Sequence, residues 1–273
     1  MAKSKLRDKT HARSSEWAYA FEHIEDFISR QEVVDRFQQT VEFTAKTIRG
    51  HKCGFGWSGG KESVVLEDIM QRLGIKACCI GFNSCLSYPS FVRYVSTHMP
   101  QGCEVFDFAE RINWKTMRDK GMEAFSDDLR EYSHWINISD RTAYPEFCKK
   151  NGIDMFIVGR RKGDNNICGK APWYITTAKN RPYVTFSPMA EWTTEEVLGY
   201  IRYFKGGYRA LAPQYTYRNG WHNGSDAPIY LDLEGRTRHQ MWADVWMNSH
   251  ELVERAAEYI DSAREYINSL TSD

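Results

Sequence analysis

The chain has 273 residues, 42% hydrophobic and 14% aromatic, enough for one large core with helical appendages. Its 36 basic and 36 acidic side chains cancel, which excludes a global field drawing the whole protein onto nucleic acid or a membrane. No run of 18 apolar residues and no amino-terminal signal-type segment occurs, so the expected location is the cytoplasm.

Taken in chain order, Lys3, Lys5, Arg7, Lys9 and Arg13 form a basic stretch that reads as a solvated tail. Residues 15–48 read as two helices, because Trp17, Phe21, Ile24 and Ile28 recur every three to four positions and Val33, Val34, Phe37, Val41 and Phe43 continue the pattern. A strand is expected over 52–57, a turn over Ser58–Ser63 and a helix over about 62–73. A second strand follows at 76–82, and Pro89 opens the next helix. Residues 103–108 alternate as a third strand, while 110–140 read as mixed helix and loop. A helix from Asp140 ends near Asn151-Gly152. Residues 154–158 and 183–186 supply strands four and five, and helices cover 193–204 and about 236–270.

Strands alternating with helices predict an α/β fold. The expected architecture is a doubly wound, mainly parallel five-stranded sheet with helices on both faces, plus amino- and carboxyl-terminal helices. The expected division is a helical extension over 1–49, a nucleotide-binding domain over 50–226 and a helical segment over 227–273. Ligands of such sheets lie outside the carboxyl ends of the strands. That rule gathers Ser58–Ser63, Asn83–Cys85 and Arg160–Asp164 on one rim.

The run Ser58-Gly59-Gly60-Lys61-Glu62-Ser63 is the most informative part of the chain. Two glycines let the backbone bend tightly and approach a ligand. The following helix offers unpaired N–H groups and a positive dipole end. Lys61 adds a mobile cation, and Ser58 and Ser63 add hydroxyls. A polyphosphate suits this set. A Walker A loop fails twice, with Phe55 at its first Gly and Glu62 at its Ser/Thr. Gly54-Phe55-Gly56-Trp57-Ser58-Gly59 matches Gly-x-Gly-x-x-Gly, but the next strand ends in Asn83-Ser84 without the acid a dinucleotide site wants.

Ser58–Ser63 resembles the PP-loop, Ser-Gly-Gly-x-Asp-Ser, of the ATP pyrophosphatases and the phosphoadenylyl-sulfate (PAPS) reductases, which share an adenine-nucleotide α-hydrolase fold. Glu62 replaces the family's Asp and lengthens the arm by one methylene. Phe156-Ile157-Val158-Gly159-Arg160-Arg161-Lys162-Gly163-Asp164 is similar to the superfamily's strand and Gly-Arg-Arg turn. Ser187-Pro188-Met189-Ala190-Glu191-Trp192-Thr193-Thr194-Glu195-Glu196-Val197 resembles its Trp-Thr segment, also found in the small subunit of sulfate adenylyltransferase.

The resemblance implies an adenine-nucleotide ligand, ATP or a PAPS-like nucleotide, with Mg²⁺. The reaction it implies is cleavage of ATP to AMP and pyrophosphate to adenylate a second substrate of unknown identity. Expected nucleotide-binding residues are Ser58, Gly59, Gly60, Lys61, Ser63, Asn83, Ser84, Gly159, Arg160 and Arg161, with Lys162 and Lys170 as weaker candidates. Lys61, Glu62 and Arg160 are the expected catalytic residues. Glu62 reads equally as a dipole complement or as an orderer of Mg²⁺ or water. The alternatives are a PAPS reductase-like protein, a sulfate adenylyltransferase small-subunit-like protein, and a non-catalytic nucleotide binder. The reductases' Glu-Cys-Gly-x-His motif is missing, and the last cysteine is Cys168.

The seven cysteines, odd in number and scattered, read as reduced thiols. Without a Cys-x-x-Cys no protein metal ligands are assigned. Cys78 and Cys79 fall within a strand, whereas Cys85 and Cys168 fall in rim loops where they could react. Trp192 and Pro188 read as packing. Tyr215, Tyr217, Trp221 and His222 read equally as a lid or as a packed surface loop. Neither membrane nor nucleic acid is indicated by net charge, and homo-oligomerisation stays open.

Overall fold

A computed structural model describes residues 14–126, 139–164, 166–179, 181–213, 228–229 and 235–271. The basic stretch Lys3–Arg13 and the group Tyr215, Tyr217, Trp221 and His222 lie outside the described residues.

The described residues begin with helices α1 (Ser14–Glu22) and α2 (Arg30–Thr47). Ser29 starts α2 with a capping box, its hydroxyl accepting from the Glu32 N–H while Glu32 accepts from the Ser29 N–H. Then come β1 (Cys53–Gly56), α3 (Lys61–Arg72), β2 (Cys78–Phe82), α4 (Pro89–His98), β3 (Glu104–Asp107) and α5 (Trp114–Asp119). Asn113 caps α5 and so resolves part of the uncertain 110–140 region; residues 127–138 lie outside the described ones. A π-type turn over Ser139–Ala143 leads into α6 (Tyr144–Asn151), which Gly152 ends in the left-handed region at φ 61°. The chain continues through β4 (Met155–Ile157), β5 (Ile175–Thr176), β6 (Val184–Phe186) and α7 (Thr194–Phe204). The expected helical stretch 236–270 is three helices, α8 (Arg238–Asn248), α9 (His250–Ala257) and α10 (Asp261–Leu270). Ser249 makes the first break, because its extended backbone and its hydroxyl, accepting from the Leu252 N–H, restart the helix.

The sheet order is β3-β2-β1-β4-β6-β5. The first five strands are parallel, and β5 runs antiparallel to β6 at the edge, Ile175 facing Phe186 and Thr176 facing Thr185. The α/β class and the parallel sheet are as the alternation implies. The strand count is corrected from five to six. The sixth strand is two residues long and is created by pairing with β6, so it carries no run of its own to read.

Strand order reverses between β1 and β4. A crevice opens at the carboxyl ends of strands on either side of such a reversal. The turn after β1 is Trp57–Gly60, and the turn after β4 begins at Val158-Gly159-Arg160-Arg161. The two motifs most specific in the sequence therefore flank this point.

Among the described residues a main core joins the terminal helices to one face of the sheet, and a second cluster, with Phe147, Phe156 and Tyr183, covers α6. Phe21, Val33 and Phe37 of the first helices belong to the same core as Phe55, Leu66, Ile157 and Trp242. A Cβ on Gly199 would meet Ile28 and Val33 at 2.9 Å, so a glycine is what lets α7 lie this close to the amino-terminal helices. The Trp192 indole donates to Thr40 Oγ1 at 2.9 Å, and Arg36 pairs with Glu196 at 2.6 Å. The Phe125 ring meets the Trp242 ring edge-on at 4.9 Å and fastens the carboxyl-terminal helices. The division at 50 and 226 remains a proposal about sequence segments. No helix among the described residues is long and apolar enough to cross a membrane.

Candidate functional site

The turn after β1 is built from its own hydroxyls. The Ser58 N–H donates to Ser63 Oγ at 3.0 Å, the two hydroxyls are 2.6 Å apart, and the Gly60 N–H reaches Ser58 Oγ at 3.4 Å. Ser58 and Ser63 thus clamp the turn shut across the first turn of α3. Gly59 has φ 66°, and a Cβ there would sit 3.0 Å from the Tyr94 ring. Only glycine meets both demands. Tyr94 in turn stacks on Trp57, with ring centroids 6.2 Å apart and planes within 7°. The Trp57 indole donates to Glu67 at 3.0 Å.

The turn after β4 comes up against the start of α3. A Cβ on Gly159 would lie 3.1 Å from the Glu62 Cβ. The close approach brings Arg161 to Glu62, with its guanidinium 3.1 Å from Glu62 Oε1, while Lys61 Nζ is 2.9 Å from the same oxygen. These are charge contacts without the alignment of full hydrogen bonds. Burial alone would raise the Glu62 pKa. The Lys61 and Arg161 charges outweigh it and hold the carboxyl at about 2.

Arg161 is 1% exposed. It is gripped by Asp164 through two bonds, Nε at 3.0 Å and NH2 at 2.8 Å, and it donates to Thr194 Oγ1 at 3.2 Å. Arg161 thus has internal partners, and its expected contact with an external anion is a proposal beside them. The guanidinium is bonded to one carboxylate and a hydroxyl and makes a charge contact with Glu62. Arg160 is half-buried in the same turn.

Asn83 and Ser84 are also at the rim, and both have local work. Asn83 Oδ1 accepts the N–H groups of Cys85 and Leu86 at 3.0 Å each, and its amide donates to the Ile112 carbonyl at 2.7 Å. The Ser84 hydroxyl donates to Asp107 at the end of β3, and its N–H donates to the same carboxylate at 3.0 Å. They shape the loop after β2 that borders the rim.

All seven cysteines are free thiols. Cys79 is buried, and burial pushes its thiol far up. Cys168 departs from the expectation of an accessible rim thiol. It is 3% exposed, donates to the Asn166 carbonyl at 3.5 Å, and burial raises its pKa. A thiol that resists ionisation is a poor nucleophile. Cys85 is half-buried.

Sequence reasoning assigned no role to Asp164, Thr194 or Asp107. The three-residue spacing of Arg161 and Asp164 was a readable signal of pairing; the other two partners come from distant elements and left none. Among the described residues no group of three His, Cys, Asp or Glu could hold a metal ion. A separate cavity of about 490 Å³ lies among α2, α3 and α7, lined by Phe37, Tyr200 and Phe204, and contains none of the expected site residues.

The sequence model of the phosphoadenosine phosphosulfate reductase domain matches residues 52–219. No curated protein matches the chain. Among solved structures, the chain is similar to NAD+ synthetase from Burkholderia pseudomallei, at 16% identity and a TM-score of 0.46, covering 96% of this chain and 98% of that one. It is also similar to phosphoadenylyl-sulfate reductase from Candida auris in a phosphate complex, at 15% identity and a TM-score of 0.38, covering 74% and 87%. A third likeness is the U34-tRNA thiolase NcsA from Methanococcus maripaludis, at 14% identity and a TM-score of 0.41, covering 80% of each chain. All three are distant.

Proposed function

This chain belongs to the phosphoadenosine phosphosulfate reductase domain family, and we propose that it is an enzyme that binds ATP with Mg²⁺ at the β1–α3 turn and adenylates a second substrate. The reading rests on one observation above others. The turns after β1 and β4 converge at the strand-order reversal, with Lys61, Glu62 and Arg161 meeting around a single carboxylate oxygen.

Bound ATP supplies an activated α-phosphorus and pyrophosphate as the leaving group. The turn supplies charge and fixed dipoles. The N-terminus of α3 and Lys61 would take the pyrophosphate charge. In the protein alone, Lys61 Nζ faces Glu62. A phosphate oxygen competing for Lys61 would leave Glu62 Oε1 directed at the cation that accompanies the nucleotide. Arg161 would keep that oxygen in place throughout, and Ser58 and Ser63 would hold the turn. Arg160 is proposed as the remaining cation toward the α-phosphate, and Asn83 and Ser84 as the border of the adenosine side. No covalent protein nucleophile is needed, because positioning and charge neutralisation carry such a displacement. A substrate oxygen would attack the α-phosphorus, the bond to the bridging oxygen would break, and the hydroxyl proton would pass to solvent.

Separation of the nucleotide products tests the reaction class. AMP and pyrophosphate are expected. ADP and phosphate as the main products would overturn the assignment.

A further inference from the structure

The zero net charge of the chain conceals a strongly basic segment. Residues 160–181 carry six basic side chains, Arg160, Arg161, Lys162, Lys170, Lys179 and Arg181, against the single acid Asp164. Asp164 is spent on Arg161, and Lys162 is paired with Glu191 at 2.5 Å. Lys170 and Lys179 are exposed and have no ion pair among the described residues.

The same segment presents its largest apolar side chains to water. Trp173 is 58% exposed and Ile167 77% exposed. Trp173 is held on a tight turn rather than a loose loop. Lys170 and Ile175 form an antiparallel bridge across it, and the Tyr174 N–H donates to the Lys170 carbonyl at 2.9 Å. Gly169 makes the turn possible, since φ is 79° and a Cβ would lie 2.4 Å from the Ile175 carbonyl oxygen. The Ser187 N–H donates to the Tyr174 carbonyl at 3.1 Å, and Lys162 lies over the Tyr174 ring at 4.8 Å. Because β5 is antiparallel, its first residue, Ile175, faces Phe186 at the carboxyl end of β6. The Trp173 turn therefore stands on the same rim as the nucleotide turn, beside Lys162.

We propose that this turn and the sheet edge below it are the docking surface of a single-stranded nucleic acid, with one base stacked on Trp173, one phosphate on Lys170 beside it, and another on Lys179 in the Ala178–Arg181 turn at the far end of β5. An exposed, rigidly held indole suits a base face, and the unpaired lysines suit a polyanion. An acidic peptide would satisfy the lysines but has no use for an indole plane. The inference rests on the adenylation reading only in naming the class of its second substrate; docking itself is measured without ATP.

The test uses the full chain and labelled 12-nucleotide single strands of RNA and of DNA, followed by fluorescence anisotropy at several salt concentrations. Binding is expected, and the RNA and DNA arms tell which sugar is preferred. Trp173→Ala should weaken binding about 5- to 150-fold, the effect of losing one stacked base. Lys170→Ala with Lys179→Ala should lower the salt slope by about 1.4, at about 0.7 per phosphate contact on a single strand. Both sites are exposed, so folding is retained, and circular dichroism checks it. Calorimetry with Mg·ATP should give equal affinity for wild type and Trp173→Ala, which keeps the nucleotide reading separate. No binding at low salt, equal binding by both variants, or equal competition by polyglutamate would overturn the proposal.

Discussion

Arg161 lies 3.1 Å from Glu62, across the interval between the turn after β4 and the first turn of α3. The contact ties together the two sequence motifs that flank the strand-order reversal. Asp164 and Thr194 fix the Arg161 guanidinium from the other side.

Arg161→Met should therefore act first on stability. Removing one partner of a buried ion pair leaves Glu62 and Asp164 undercompensated and costs about 3–5 kcal/mol. Arg161→Lys should be only slightly better, because an ammonium cannot reproduce the two-pronged contact with Asp164 and still reach Glu62. Denaturant titration reads the loss. A midpoint unchanged in both variants would remove Arg161 from the framework of the site.

The pH dependence of stability should carry the signature of Glu62. Its carboxyl is held at about 2 in the folded chain against an ordinary value of 4.5. A folded pKa below the unfolded one contributes stability that is fully present above pH 4.5 and is lost as pH falls toward 2. The stability difference between wild type and Glu62→Gln should shrink across that window. Parallel curves down to pH 2 would contradict the assigned charge contacts.

Lys61→Ala should weaken Mg·ATP binding by about 1.5–3 kcal/mol, the cost of one charge-assisted contact. Lys61 is 7% exposed and paired with Glu62, yet Arg161 remains to hold that carboxylate, so the fold should survive. Calorimetry giving equal affinity for both proteins would exclude Lys61 from the phosphate site.

Gly59→Ala should disturb the same site by geometry alone. It places a Cβ at φ 66° against Tyr94, which costs about 1 kcal/mol or more from the backbone conformation alone. Nucleotide affinity should fall with it, and a structure of the variant should show the Trp57–Tyr94 stack displaced. An undisturbed stack with full affinity would refute the role given to Gly59.

Incubation with PAPS and thioredoxin should release no sulfite. Cys168 is buried and resists ionisation, and no cysteine follows it. Sustained sulfite release, abolished in Cys85→Ser or Cys168→Ser, would show that a thiol performs reductive chemistry after all.

The sequence by itself determined the α/β class, the place of the phosphate-type turn and the order of the main elements. These are local properties. Glycines at a strand-to-helix turn, a Pro that opens a helix and apolar runs of strand length act through neighbours in the chain, so a linear reading reaches them. The rim was legible for the same reason, because carboxyl ends of parallel strands must share one edge. Only the tertiary structure decided what each rim side chain does. Arg161 has Asp164, Thr194 and Glu62 around it, the last two contributed by distant segments. Cys168 looked accessible because a loop reads as surface, whereas this one folds inward against Asn166 and Ser187. β5 exists only through its pairing with β6, and the same pairing sets Trp173 on the rim. Such roles depend on contacts between residues far apart in the chain, whose energies leave no mark on local composition.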